Sequence, residues 1–265
     1  MEMRTSNPVL TRGFEIPTYA DLAVGADSNS MTIHGTIVKS AVLLAITMIF
    51  GGLGWTLVQS TPALGLGLCF GGFIAAFIIA IILCFARKAS PFLAPVYAIC
   101  QGVAVGALTF YITHILEQTG KASSAFLVAA QALVLTFAIF GGLLVAYSFR
   151  IIRLSSTAIK IVSTLTAGVG IFSLVMFVLY MLGIGRGLSF SIFSSQSGSL
   201  LGIGFSIFVV CLAAFRLVMD FQLIEDGVAS GQPKYMEWYG AFGLLVTLIW
   251  LYIEVLRLLS KLRSR

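Results

Sequence analysis

Between Lys39 and Arg87 the chain carries no charged residue, and the same is true from Ala122 to Phe149 and from Ile161 to Gly185. A helix needs about 20 apolar residues to cross a bilayer, so each of these runs is long enough to do so. Lipid offers backbone amides no hydrogen-bond partner, which leaves helices and closed barrels as the spanning structures; barrel strands would be shorter and would alternate. With 59% hydrophobic and 10% charged residues over 265 positions, an ordinary soluble fold is excluded.

Runs and breakers together predict an all-α membrane protein of seven transmembrane helices, near residues 38–58, 64–86, 92–116, 124–147, 160–182, 199–223 and 238–259. Gln59-Ser60-Thr61-Pro62 reads as a tight polar hairpin. In Arg87-Lys88-Ala89-Ser90-Pro91 the proline stands where a new helix can begin, and Gly183 to Gly198 is a glycine- and serine-rich connection. The division is then a polar, loosely ordered arm over 1–35 and a transmembrane domain over 36–265. The arm has no apolar core behind a basic start, so no cleavable signal peptide is expected.

Glycine recurs at four-residue spacing in Gly67/Gly71, Gly102/Gly106 and Gly198/Gly202, a pattern that lets helix backbones approach closely. Cys69, Cys84, Cys100 and Cys211 lie in apolar runs without metal-ligand spacing and read as small packing residues. The net charge of +6 comes from Lys and Arg at loop ends and in the tail, which sets orientation in the membrane and points away from nucleic acid. A cytoplasmic amino terminus places Arg4, Arg12, Lys39, Arg87, Lys88, Arg150, Arg153, Lys160 and Lys234 inside, against Lys121 and Arg186 outside. It also exports Arg257, Lys261, Arg263 and Arg265, a conflict that leaves the seventh helix in question as a simple traversal.

An ionisable side chain in a span costs several kcal/mol unless paired or hydrated, so each one needs a reason. The sixth span carries Arg216 and Asp220, the seventh Glu254 and Arg257, while Glu225 and Asp226 mark where the sixth emerges. Spacings of four and three residues allow each acid to be neutralised by the arginine of its own helix. The alternative is that the two acids meet in the interior and share a proton or hold a cation, which would make their ionisation a switch. Straight helices starting and ending at these boundaries would not bring them together.

The stretch VVCLAAFRLVMDFQLIEDGV from Val209, followed by EWYGAFGLLVTLIWLYIEVLRLL, resembles the last two helices of the transmembrane Bax inhibitor motif family. Asp220-Phe221-Gln222 matches that family's Asp-x-Gln element, Leu251-Tyr252-Ile253-Glu254 its acid-bearing seventh helix, and SPFLAPVYAICQGVAVGALTFY, residues 90 to 111, its third. The resemblance implies a last helix enclosed by the other six. It also implies a pH-sensitive calcium leak gated by an acidic pair, here Asp220 and Glu254, and a basic latch at the end of helix two, here Arg87 or Lys88. Glu254 departs from the family's usual Asp. A monomer in a bacterial plasma membrane is implied, with calcium or protons as cargo and no cofactor besides a calcium ion held by the two acids. A proton-coupled carrier of a small solute, or a non-transporting modulator of other membrane proteins, uses the same features.

No enzyme is expected. His34 and His114 stand alone, without a second histidine or a cysteine at ligand spacing, no Gly-x-Ser-x-Gly elbow occurs, and Asp220 is the lone aspartate in a span.

Overall fold

The computed structural model describes residues 30–181 and 200–264. The arm up to residue 29 with Arg4 and Arg12, the Gly183–Gly198 connection with Arg186, and Arg265 lie outside the described residues.

Among the described residues, seven helices are long and apolar enough to cross a membrane. They are α1 (Ile33–Ser60), α2 (Pro62–Phe85), α3 (Ser90–Gln118), α4 (Ala125–Ser148), α5 (Ser156–Met181), α6 (Leu200–Ala229) and α7 (Met236–Arg263). The turns follow from the breakers: α1 stops before Thr61-Pro62, and Arg87–Ala89 forms a single 3₁₀ turn that hands the chain to α3, with Pro91 in its first turn. Proline is tolerated there because the first amides of a helix have no partner to lose.

The helices differ in how much lipid they meet. The outward faces of α2 and α5 are exposed and apolar, as at Ile74, Phe77, Ile171 and Leu174, whereas α7 buries Leu244, Leu245, Leu248, Leu251, Val255 and Leu256. Its neighbours are α1, α3, α4 and α6. One of the three glycine pairs makes the expected close approach: a Cβ on Gly102 would come within 2.7 Å of the Thr47 carbonyl oxygen, and one on Gly106 would overlap the backbone of Gly51. Gly67 and Gly71 face open space. Of the cysteines, Cys69 is buried and Cys100 half-buried, while Cys84 and Cys211 lie on the outer surface and do not pack inside.

α7 is a full traversal, because each of its ends is tied to a different end of the bundle. At its head, Glu237 accepts hydrogen bonds from Lys39 Nζ and, at 2.9 Å each, from the Thr32 amide and hydroxyl. Nearby, Ser90 Oγ donates to the Tyr235 carbonyl at 2.9 Å, and the Met31 amide to that of Gln232 at 2.7 Å. At its tail, Lys121 Nζ donates to the Ser264 carbonyl at 3.2 Å and Arg263 to Gln131 Oε1 at 2.6 Å. The basic tail thus sits on the side opposite Lys39, Arg87 and Arg153.

Candidate functional site

The seam between α6 and α7 carries Arg216, Asp220, Glu254, Arg257 and Lys261. Asp220 is 7% exposed. Thr247 Oγ1, from α7, donates to its Oδ2 at 2.5 Å, and Arg216 Nε, one turn back on α6, lies 3.6 Å from its Oδ1. Glu254 is 5% exposed and receives Arg257 Nη1 at 2.8 Å. Lys261 is fully buried, and its Nζ donates to the Gly202 carbonyl at 3.1 Å and to Ser206 Oγ at 2.9 Å, both on α6.

These contacts fix the register. Thr247 meets Asp220 and Lys261 meets Ser206, so fourteen residues on α7 run antiparallel to fourteen on α6. Thr247, Glu254 and Lys261 recur every seven residues, two turns of a helix with 3.6 residues per turn, and so share one face. Halfway along this ladder Glu254 falls opposite Ala213, whose small side chain is wholly buried.

Asp220 and Glu254 are therefore rungs of one ladder and not a touching pair. Seven residues at 1.5 Å each separate Glu254 from Thr247, the partner of Asp220, by about 10 Å along α7. Each acid faces the arginine of its own helix, and this register does not bring the two carboxyls together to share a proton. Nor do the two carboxylates form a joint calcium site here, because ligand oxygens lie about 2.3–2.6 Å from that ion. Among the described residues no group of three or more His, Cys, Asp and Glu side chains is placed to hold a metal.

The latch residues lie elsewhere. The Arg87 guanidinium sits over the Tyr239 ring, 5.7 Å from its centroid, on the first turn of α7, and Lys88 is exposed. In the role foreseen for them, the cation beside Asp220 is Arg216.

The Asp-Phe-Gln element is intelligible as three consecutive positions about 100° apart on a helix, each tying α6 to a different neighbour. Asp220 bonds to α7, and Phe221 stacks at a tilt on Phe140 and Tyr147 of α4, with centroids 5.8 and 5.5 Å away. Gln222 Nε2 donates to the Leu154 carbonyl at 3.3 Å, beyond the end of α4, and its Oε1 is buried without a hydrogen bond. Three residues further on, Glu225 is partly exposed while α6 continues past it to Ala229, and its carboxylate accepts from Tyr147 and from Arg153 Nη2 at 2.8 Å.

Three residues of this framework carry no warning in their local sequence. Glu237 and Lys261 stand near helix ends, where charges are ordinarily solvated, and Thr247 is one threonine among many. The recurrence of Thr247, Glu254 and Lys261 at sevens is the one signal that groups two of them with Glu254.

Such a site, an antiparallel pair of spanning helices joined by a buried ladder of ionisable groups, defines a polytopic membrane protein with a charged interior seam. The chain matches the family described as Bax inhibitor 1 like over residues 7–264, and it belongs to that family. No curated protein and no solved structure matches it.

Proposed function

We propose that the chain is a pH-sensitive cation leak, with calcium as cargo, whose closed form is held by the α6–α7 seam. The observation that carries this reading is the buried Asp220 carboxyl, bonded across the seam by Thr247. An ionisable group at such depth costs several kcal/mol unless its partners are in place, so its charge state biases how α6 and α7 pack. Arg216 and Arg257 stand beside Asp220 and Glu254 as tethered cations that take up the acids' charge once their protons leave, and a passing cation must displace them.

α7 acts here as the central, enclosed helix, a role supported by its packing on α1, α3, α4 and α6. The end bearing Lys39, Arg87, Lys88, Arg150, Arg153, Lys160 and Lys234 faces the cytoplasm of a bacterial plasma membrane, following the excess of Lys and Arg on that side.

Protonated acids favour the closed seam, and proton loss opens it, so calcium flux into liposomes rises with pH. Asp220→Asn removes one titrating group and is expected to give low flux with little pH dependence. A variant whose flux follows pH as the parent's does would defeat the proposal.

A further inference from the structure

We propose that a cleft between α1 and α4 is a binding site for one hydrocarbon chain of a membrane lipid. Its volume is about 540 Å³. α1 and α4 form its walls, and α3 and α7 its floor. The floor residues of α7 are Leu245, Leu248, Ile249 and Tyr252. Tyr252 and Glu254 are two residues apart, about 200° around the helix, so the cleft and the acids lie on opposite faces of α7.

The lining selects the ligand. Thr47, Thr56, Thr109 and Thr136 reach the cleft, but each hydroxyl donates to a carbonyl of its own helix, at 2.9, 3.0, 2.7 and 2.7 Å. Tyr252 is engaged as well, its hydroxyl 3.1 Å from Thr109 Oγ1. The other polar groups of the lining are the amide of Gln59, exposed beside the α1–α2 turn, and the indole N–H of half-buried Trp55 one turn further in. A slot whose inner hydroxyls are committed, with an indole N–H and an amide towards its mouth, suits a chain that carries its polar group at one end.

The length of the cleft matches a lipid chain. From Gln59 down to Leu44 the cleft follows fifteen residues of α1, about 22 Å, and on α4 it runs from Phe126 to Phe137, about 16 Å. One leaflet of a hydrocarbon core about 30 Å thick is about 15 Å deep, so the slot holds a lipid chain along its length. An occupied cleft braces α7 from behind, against α6.

Trp55 lines the cleft and makes the test direct. In a Trp238→Phe/Trp250→Phe protein in detergent, stearic acid brominated at mid-chain is expected to quench Trp55 saturably, with one-site stoichiometry. Gly52 lines the cleft, and a side chain added there meets nothing within 4 Å, so Gly52→Phe fills the site and should abolish the saturable component. Ala130→Phe, from the opposite wall, should do the same. Native mass spectrometry from nanodiscs should find one retained phospholipid on the parent and none on either variant. Linear quenching indifferent to both substitutions, or a retained polypeptide in place of the lipid, would overturn the assignment. Binding is read without any flux, so this result and that of the leak experiment are independent.

Discussion

Replacing Glu237 with Ala breaks the tie between the heads of α1 and α7, and its cost can be worked from the surroundings. The carboxylate side chain is 2% exposed and that of its partner Lys39 18%, so the pair is screened little by solvent. Removing one member of a buried ion pair costs about 3–5 kcal/mol, chiefly because the other charge is stranded. Lys39 keeps part of its stabilisation, since its Nζ lies 5.6 Å from the centroid of the Trp238 ring, a contact worth about 0.5–1 kcal/mol. The net loss is then about 2–4 kcal/mol, or roughly 5–15 °C in unfolding temperature for a chain of this size. Glu237→Gln retains acceptors for the Thr32 amide and hydroxyl, each worth about 1 kcal/mol, and should fall between parent and Ala. Lys39→Met/Glu237→Met removes both charges and should return to within about 1 kcal/mol of the parent. Thermal unfolding in detergent by far-ultraviolet circular dichroism gives the comparison. An Ala variant within 1 °C of the parent, or a double variant less stable than the single, would refute the reasoning.

Two further substitutions test the packing and the seam. Gly106→Ala drives a methyl into the Gly51 backbone and should cost about 1–3 kcal/mol or more, while Gly67→Ala, facing open space, should gain about 0.5–1 kcal/mol; equal unfolding temperatures would contradict the close approach of α1 and α3. Thr247→Val deletes the bond to Asp220 and should cost about 1.5–3 kcal/mol when the acid is charged, but nearer 1 kcal/mol in an Asp220→Asn background, as a denaturation series of the four proteins would show.

The spans were legible because lipid imposes a length and a composition that few other constraints imitate. Over the described residues the seven helices match the runs expected from sequence to within one residue at the ends where they fall short, and α6 extends six residues further, to Ala229. That extension was hidden because Glu225 and Asp226 resemble an exit into water, and the tyrosine and arginine that receive Glu225 come from the far end of α4 and the loop after it. Arginine neutralisation of each acid follows from spacings of three and four residues and was readable. The partnership of Asp220 with Thr247 was not, since antiparallel register depends on where α6 stops and α7 starts. The same limit concealed Lys261, which spacing alone assigns to a basic tail. Four-residue glycine spacing proposed three contacts, and the described residues show one, because the motif says that a face is narrow and not which helix lies against it. The cleft, bounded by helices far apart in sequence, leaves no local mark.

The register also restricts how a switch in this chain can work. Bringing Glu254 level with Asp220 requires α7 to slide about 10 Å along α6, two turns of helix. Its head is held by Glu237, Tyr235 and Gln232 and its tail by Lys261 and Ser264, and all of these would have to release together. Exchanging partners in place asks for much less: a guanidinium on a flexible stem moves away from its carboxylate, and the helices separate locally around a charge that has lost its neutraliser. Arg216 and Arg257, whose side chains are 34% and 25% exposed, already reach towards the surface of the bundle and have room to swing. In the proposed switch the seam is therefore two stations, each with its own acid and its own tethered cation, with the wholly buried Ala213 level with the second. A cation crossing this protein would meet the acids in succession and not together.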